Sequence, residues 1–392
     1  MIPSDLLNGV RVVSLEQYIA APYCTQILSE AGAEVIKVER PGLGDPRRMY
    51  DPTRRVGDDD VSGGFASYNR GKKSITLDIS NAEDRVALKG LLAECDVLVT
   101  NLRPGALARV ELSTASLRAE YPTLIICEIS GFGVSGGPYE QWTAFDSVIQ
   151  AMSGLSSLVG ESADGAPLLA PMSMMDLLTG VWAAMGISAA LAHRALSGEG
   201  CHIDAAMYDI GAAFMERALT LQEFTDKTPT RGTDSFSPVG AFRTADGRWL
   251  SIVIPTDEMW RRCCTAVERT ELVADPALDT VTKRAERMRS TIVPMLEEWA
   301  LNGGLGAEEA AAVLRDAGQP VGVVQSVRDV RDCAHLAHRK MFAPLLARAS
   351  AQPDRAELAL PRFPLLIDGI PSAPGPVPAL GEHNFTVLGG RS

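Results

Sequence analysis

Asp176 is the only Asp, Glu, Lys or Arg between Asp164 and Arg194, in a run that is otherwise small and apolar. An ionised carboxylate in such surroundings loses hydration and must be compensated by hydrogen bonds, by a helix end or by a part in chemistry. That makes it the leading candidate for a carboxylate that attacks or transfers. A plainer reading stands beside it. Asp176 precedes a long apolar run at helical spacing and would suit a helix N-cap. The two are compatible, because a helix N-terminus holds a carboxylate ionised and oriented.

The second set of candidates is basic. Arg40, Arg47, Arg48, Arg54 and Arg55, then Arg70, Lys72 and Lys73, then Arg103 and Arg109 fall in segments expected at the carboxyl ends of strands. Converging there, they would suit a small polyanion such as a nucleotide diphosphate. Glu39 and Arg40 follow the second expected strand, where a nucleotide ribose lies in doubly wound folds. The first strand–helix turn, Tyr18 to Pro22, has no glycine. Pro22 can open the helix because its missing amide would be unpaired there. Gly131, Gly133 and Gly136 make a formal G-x-G-x-x-G, but Gly137 and Pro138 follow and no helix N-terminus is offered to a pyrophosphate, so a loop is expected.

Metal chemistry has little support. His335 and His338 form an H-x-x-H pair without acidic partners and read as a helix surface. The seven cysteines are odd in number and lack ligand spacing, which suggests reduced thiols, a cytoplasmic setting and no metal.

Those residues need a scaffold. Apolar runs at Val10–Leu15, Glu34–Val38, Ser74–Ile79, Asp96–Thr100 and Thr123–Ile129 alternate with helix patterns at 22–30, 83–94 and after Ser113. Such alternation predicts an α/β fold, a Rossmann-like doubly wound, mostly parallel sheet. Beyond the apolar helix ending near Arg194 the character changes. Gly240–Thr244 and Arg248–Ile254 flank Asp246-Gly247 as a hairpin, with positive φ angles expected in the turn. Helices are expected at 256–269, 282–300 and 307–317. The predicted organisation is a large Rossmann-like domain over 1–200, a smaller α+β domain over 225–325, and a proline-rich return segment, 330–392, strapped onto the large one.

The 392 residues call for about two domains. A formal charge of −12 argues against a nucleic-acid or anionic-membrane partner. The start of the chain lacks a secretory pattern, and the apolar run 177–191 is short, small-residue-rich and adjacent to Asp176, so a buried helix is expected rather than a membrane span.

Several segments in order resemble the class III CoA-transferases, the family of formyl-CoA and carnitine CoA-transferases, whose fold is shared with α-methylacyl-CoA racemases. They are Gly9–Val13, Ala21–Pro22 with Thr25–Leu28, Gly32–Glu39, Asn69–Asp78, Asp96–Gly105, Ile129–Gly133, Asp176–Gly180, Gly198–Gly200 and Leu380–His383. The resemblance puts Asp176 at the family's nucleophilic aspartate. It implies CoA contacts from Tyr18, Ala20, Arg40, Asn69, Arg70, Lys72, Lys73, Leu77, Asn101, Leu102, Arg103 and Arg109. Coenzyme A would arrive as substrate, with no tightly bound cofactor, and its partner would be a small carboxylic acid.

The resemblance further implies an interlocked homodimer, with Ala195–Cys201 and the chain after Asp329 as connectors. Phe145 stands where racemases of this fold carry a histidine, and phenylalanine moves no proton. Ile19 replaces the glutamine of formyl-CoA transferase, and Arg231–Gly240 lacks its glycine-rich run, so oxalate and formate gain no support. A 2-methylacyl-CoA epimerase and a CoA-binding protein without catalysis are the alternatives. Met172, Met174, Met175, Met207 and Met215 suggest an apolar acyl pocket or simply a core.

Overall fold

The computed structural model describes residues 5–56, 59–232, 237–346 and 358–389. The chain divides into two compact units, Met1–Ser157 with Pro167–Thr228 and Ala334–Ser392, and Leu158–Ala166 with Pro229–Cys333.

In the first unit, β1 (Arg11–Leu15), β2 (Glu34–Glu39), β5 (Lys73–Thr76), β6 (Val97–Thr100), β7 (Ile125–Ser130) and β8 (His202–Ala206) form one sheet in the order β5-β2-β1-β6-β7-β8. All five pairings are parallel. By rank along the chain this is 3-2-1-4-5-6, the Rossmann order. The side chains alternate between faces, as a pleated strand requires. Val12, Val35, Val97, Val99, Ile125 and Cys127 pack with α1 (Ala20–Glu30) and α6 (Met174–Ser197). Val13, Ile36, Val38, Ile75, Leu98 and Ile126 pack with α3 (Ala82–Leu92) and α4 (Thr114–Glu120) on the other face. A hairpin of β3 (Thr53–Val56) and β4 (Asp59–Ser62) with α2 (Gly63–Asn69) follows β2 and precedes β5 in the chain and was not apparent from the sequence.

The expected strap is more structured than prolines suggest. It forms two short antiparallel pairs, β12 (Phe342–Pro344) with β13 (Ala359–Pro361) and β14 (Leu366–Ile367) with β15 (Ile370–Pro371). It then covers the outer edge of β5, where the His383 amide donates to the Ser74 carbonyl (2.9 Å) and the Thr76 amide donates to Asn384 Oδ1 (2.9 Å). An edge strand is thereby denied to other chains.

Two expectations about connections fail. Ala195–Cys201 is no connector between units. It joins α6 to β8 within the first unit, and a Cβ on Gly200 would lie 2.2 Å from the Leu124 carbonyl oxygen. The large unit also continues past residue 200 through α7 (Met207–Phe214) and α8 (Glu216–Thr225).

α6 is buried along one stripe only. Gly180, Ala183, Ala184 and Ile187 face the core, while Val181, Trp182 and Met185 are 47%, 44% and 53% exposed. Among the described residues it is the one helix long and apolar enough to cross a membrane. The small buried residues let α6 approach α1 closely. A Cβ on Gly180 would stand 2.9 Å from the Ala20 carbonyl oxygen and 3.1 Å from the Cys24 amide nitrogen.

The second unit is α+β. Strands β9 (Val239–Arg243), β10 (Trp249–Val253) and β11 (Val321–Val323) form an antiparallel sheet in the order β11-β10-β9. It packs on α9 (Asp257–Ala266), α11 (Val293–Asn302) and α12 (Ala307–Asp316) through Phe242, Leu250, Trp260 and Leu296. In the hairpin only Gly247 has positive φ. Asp246 instead accepts from the Thr244 hydroxyl (2.6 Å) and the Arg248 amide (3.1 Å). The expected helix 282–300 is broken into α10 (Val281–Glu286), a π turn at Met288–Ile292 and α11. Pro294, in the first turn of α11, has no amide to continue the ladder. Within Arg231–Gly240, residues 233–236 lie outside the described residues.

Candidate active site

The carboxyl ends of β1 and β6 are adjacent, and the strand order reverses there. Doubly wound sheets bind ligands in that crevice. Here it opens into a cavity of about 880 Å³ in the first unit. Gln17–Ala20 and Asn101–Pro104 form its floor. Its walls come from Arg47 and Tyr50, from Gly131, from Gln141–Ser147, and from Leu169–Ser173 with Asp176.

The floor is fixed by a buried set of charges. Tyr18 adopts φ 66°, a left-handed turn that a non-glycine residue holds only when its surroundings enforce it. Its amide donates to Asp45 Oδ1 (3.3 Å), and Asp45 Oδ2 accepts from Lys37 Nζ (2.8 Å). Gln17 and Asn101 exchange two hydrogen bonds, 2.9 and 2.8 Å, which tie the end of β1 to the end of β6. Beneath them Glu16 accepts from Lys72 Nζ (2.8 Å) and from the Thr25 hydroxyl (2.8 Å). Burial alone would raise the Glu16 carboxyl, but the Lys72 and Lys37 ammonium groups hold it below the usual range. Burial, and the Lys37 charge beside it, bring the Lys72 ammonium down to about 8 against the pull of Glu16.

Asp176 is not an N-cap. The helix begins two residues earlier, at Met174, after Ser173, which caps nothing with its side chain, so Asp176 lies within the first turn. The cap comes from another element. Asp146, at the start of α5 (Asp146–Met152), accepts through Oδ1 from the Met175 amide (2.6 Å) and the Asp176 amide (3.3 Å). Its Oδ2 accepts from Gln150 Nε2 (2.6 Å), and Gln150 Oε1 takes the Ala170 amide (2.9 Å), so one buried glutamine locks both segments. The dipole that could have steadied Asp176 is spent on Asp146. Burial, with the like charge of Asp146 added, raises the Asp176 carboxyl to about 7, and the Arg47 guanidinium pulls it the other way. The sequence reading, in which the helix end keeps this carboxylate ionised without a shift, is corrected on that point.

The expected CoA contacts separate into two groups. Tyr18, Ala20, Asn101, Leu102, Arg103 and Arg109 line the cavity with Asp176. Asn69, Arg70 and Lys72 do not. Each is at most 2% exposed and has protein partners: Lys72 on Glu16, Asn69 on the Phe65 carbonyl, Arg70 on Glu30 and the Pro361 carbonyl. Leu77 is core, Lys73 pairs with Glu34, and Arg40 is exposed away from the cavity lining. Basic residues close in sequence had been read as one patch, whereas burial forced half of them to neutralise internal carboxylates. Met172 and Met207 line the cavity, and Met175 and Met215 are buried. Arg47 joins the site from the basic set expected to meet a polyanion, and Asp146, Tyr50 and Gln141 join it without a sequence expectation of their own. Asp146 carried a signal, as the acidic residue beside Phe145 in a segment already under scrutiny.

Phe145 lies in the wall, edge-on to Tyr18 at 5.8 Å between ring centres. Among the described residues that line the cavity there is no histidine. The Gly131–Gly136 segment is a loop after β7, held by Asp204 accepting from the Val134 amide (2.9 Å).

Residues 7–384 match the family model described as CoA-transferase family III. The chain belongs to that family. As a family III CoA-transferase it is 34% identical to the succinyl-CoA:mesaconate CoA-transferase of Haloarcula hispanica, over 97% of this chain and 95% of the other. It is 33% identical to the acetyl-CoA:oxalate CoA-transferase of Acetobacter aceti, over 87% and 86%. A solved CaiB/BaiF family protein from Brucella suis superposes with a TM-score of 0.83 at 30% identity, covering 98% of both chains. The chain is therefore an enzyme that transfers CoA between acyl groups, and its sheet is the family's.

Proposed function

We propose that this transferase moves CoA from an acyl-CoA to a small carboxylic acid with Asp176 as nucleophile. One observation carries the reading: the Asp176 carboxyl stands half-buried in the wall of the switch-point cavity, among apolar residues. The carboxylate attacks the thioester carbonyl, breaking the C–S bond to give a mixed anhydride and CoA thiolate. The thiolate attacks the aspartyl carbonyl, releasing the donor acid and leaving an aspartyl-CoA thioester. The acceptor carboxylate attacks that thioester, giving a second anhydride and thiolate. Attack of the thiolate on the acceptor carbonyl yields the new acyl-CoA and restores Asp176. Both anhydrides are open to hydrolysis, and the apolar side chains of Phe145, Leu169 and Met172 in the lining suit a site that sheds water once the acyl-CoA fills it.

Arg103 and Arg109, cationic and exposed at the cavity rim, suit the CoA phosphates, while Tyr18 and Ala20 suit the pantetheine arm. Asn69, Arg70 and Lys72 have no part in this assignment, because their side chains are buried outside the cavity lining. The similar enzymes from Haloarcula and Acetobacter are named for mesaconate and oxalate, so the acceptor screen begins with acids of that kind and includes oxalate. The exposed strip Val181, Trp182 and Met185 supports a homodimer, which light scattering on the purified chain tests.

The decisive experiment traps the intermediate. Wild-type enzyme incubated with acyl-CoA and hydroxylamine should carry a hydroxamate at Asp176, read by peptide mass spectrometry. Asp176→Asn and Asp176→Ala should carry none and exchange no label between acyl-CoA and acid. Exchange that survives in either variant removes Asp176 from the chemistry.

A further inference from the structure

Arg47 is a cation that the protein holds in place with no carboxylate, among the described residues, at ion-pair distance. Its backbone lies in the short helical turn Pro46–Met49, where the Arg47 amide donates to Asp45 Oδ1 (3.0 Å). Its side chain is half-buried and is held by three neighbours. Nε donates to the Gly64 carbonyl (3.0 Å), and the guanidinium carbon lies 5.3 Å from the Tyr50 ring centre and 5.4 Å from that of Tyr68. Among the described residues no carboxylate pairs with it, and Nε is its only side-chain donor in use. The adjacent Arg48 makes the contrast. Its Nη2 and Nε donate to the two oxygens of Glu39, at 2.6 and 2.8 Å.

The free Nη groups belong to a side chain that lines the same cavity as Asp176. Arg103 and Arg109 follow β6 in the chain, whereas Arg47 reaches the cavity from the turn after β2, and of these three lining arginines it is the one whose charge acts on the Asp176 carboxyl. A planar guanidinium, oriented by two rings and presenting unused donors, matches a carboxylate. An acceptor acid must bring one carboxylate to the reacting carbonyl. A second carboxylate on that acid would need a cation a few bonds away.

We infer that Arg47 forms a subsite for the second, non-reacting carboxylate of a dicarboxylic acid, and that it selects such acids over monocarboxylic acids of the same length. This rests on Asp176 being the nucleophile, and the test separates the two claims. Purified wild type, Arg47→Gln and Arg47→Lys are assayed with acetyl-CoA, a donor lacking a second carboxylate, and with matched acceptors: malonate against propionate, succinate against butyrate, glutarate against valerate. Wild type should favour the dicarboxylate in at least one pair. In that pair Arg47→Gln should lose about 10- to 100-fold more in kcat/KM on the dicarboxylate than on the monocarboxylate, mostly through KM, beyond the common loss that follows when the Arg47 charge no longer acts on Asp176. Arg47→Lys should lie between, since it keeps the charge without the fork. Wild type that shows no dicarboxylate preference in any pair overturns the inference. So does an equal loss on both members of the pair, which would assign Arg47 to the thioester or to Asp176 itself. Exchange that persists in Asp176→Asn would instead overturn the nucleophile and leave the Arg47 preference measurable on its own. Matching thermal unfolding of the variants and wild type excludes misfolding, and if Arg47→Gln does not fold, the Arg47→Lys ratio decides.

Discussion

Replacing Asp176 by Asn should make this enzyme inactive and, at alkaline pH, more stable. The carboxyl moves from 3.8 to about 7 on folding, because burial and Asp146 both oppose its charge. The folded chain therefore binds the proton more tightly than the unfolded one. The stabilising contribution of the protonated acid is complete below the unfolded value and is lost as pH rises through the folded value. At about 1.4 kcal/mol per pH unit the full interval is worth about 4 kcal/mol, and contact with cavity solvent lowers that ceiling, so about 2–4 kcal/mol is expected. Asparagine is nearly isosteric with the protonated acid and never charges. Urea unfolding of both proteins at pH 4, 5.5, 7 and 8.5, at fixed ionic strength and read on the first unit's transition, should give curves that coincide at pH 4. They should separate between about pH 4 and 7 in favour of the variant and run parallel above about pH 8. The same titration should appear in wild-type kcat/KM as a rise through about pH 7, since the nucleophile must ionise. Stability and activity thus move in opposite directions on one proton. A stability difference that is flat across the range would refute the burial argument, and with it the claim that Asp146 and Asp176 share a local field.

Three further substitutions probe the supports of the site. Asp146→Asn keeps an oxygen for the Met175 amide but removes the like charge, so the acid limb of the kcat/KM profile should shift to lower pH. Asp146→Ala should also cost about 1 kcal/mol by uncapping α6, measured by denaturant unfolding. Gly180→Ala places a methyl group 2.9 Å from the Ala20 carbonyl and should cost about 1–3 kcal/mol while raising KM for the acyl-CoA, because the Tyr18–Ala20 floor moves with α1. Lys72→Met leaves Glu16 with Lys37 as its sole nearby cation and should destabilise by about 3–5 kcal/mol in the same unfolding assay. A Lys72→Met protein as stable as wild type would mean that the buried charges do not act as a unit.

The doubly wound sheet was legible because its strands are short β-branched runs separated by helical patterns, and five of its six strands were placed within three residues at each end. β8 was missed. His202–Ala206 carries an aspartate and a histidine and has no apolar run, because edge position and partial exposure relax the pattern. The hairpin β3–β4 was missed for a related reason: Arg54-Arg55 on one strand and Asp59-Asp60 on the other leave neither with an alternation of hydrophobicity. The break in the helix expected over 282–300 needed the single residue Pro294, whose effect reaches back a full turn, to be weighed above an otherwise continuous periodicity.

Asp176 was legible from its isolation, but its state was not. A lone carboxylate in an apolar run announces that something must compensate it without saying what. The compensating amides went instead to Asp146, thirty positions upstream, and no spacing rule links the two. The basic residues show the converse. Lys37, Lys72 and Arg48 look available in a chain that is acidic overall, yet each one is matched inside the fold to Glu16, Asp45 or Glu39. Burying a carboxylate at the end of β1 commits a lysine from elsewhere, because an unpaired buried charge is costlier than the pair. What distinguishes a ligand-binding cation is therefore the absence of such a partner. Arg47 meets that condition beside Arg48, which does not, and two adjacent arginines of identical chemistry are divided by which of them Glu39 can reach.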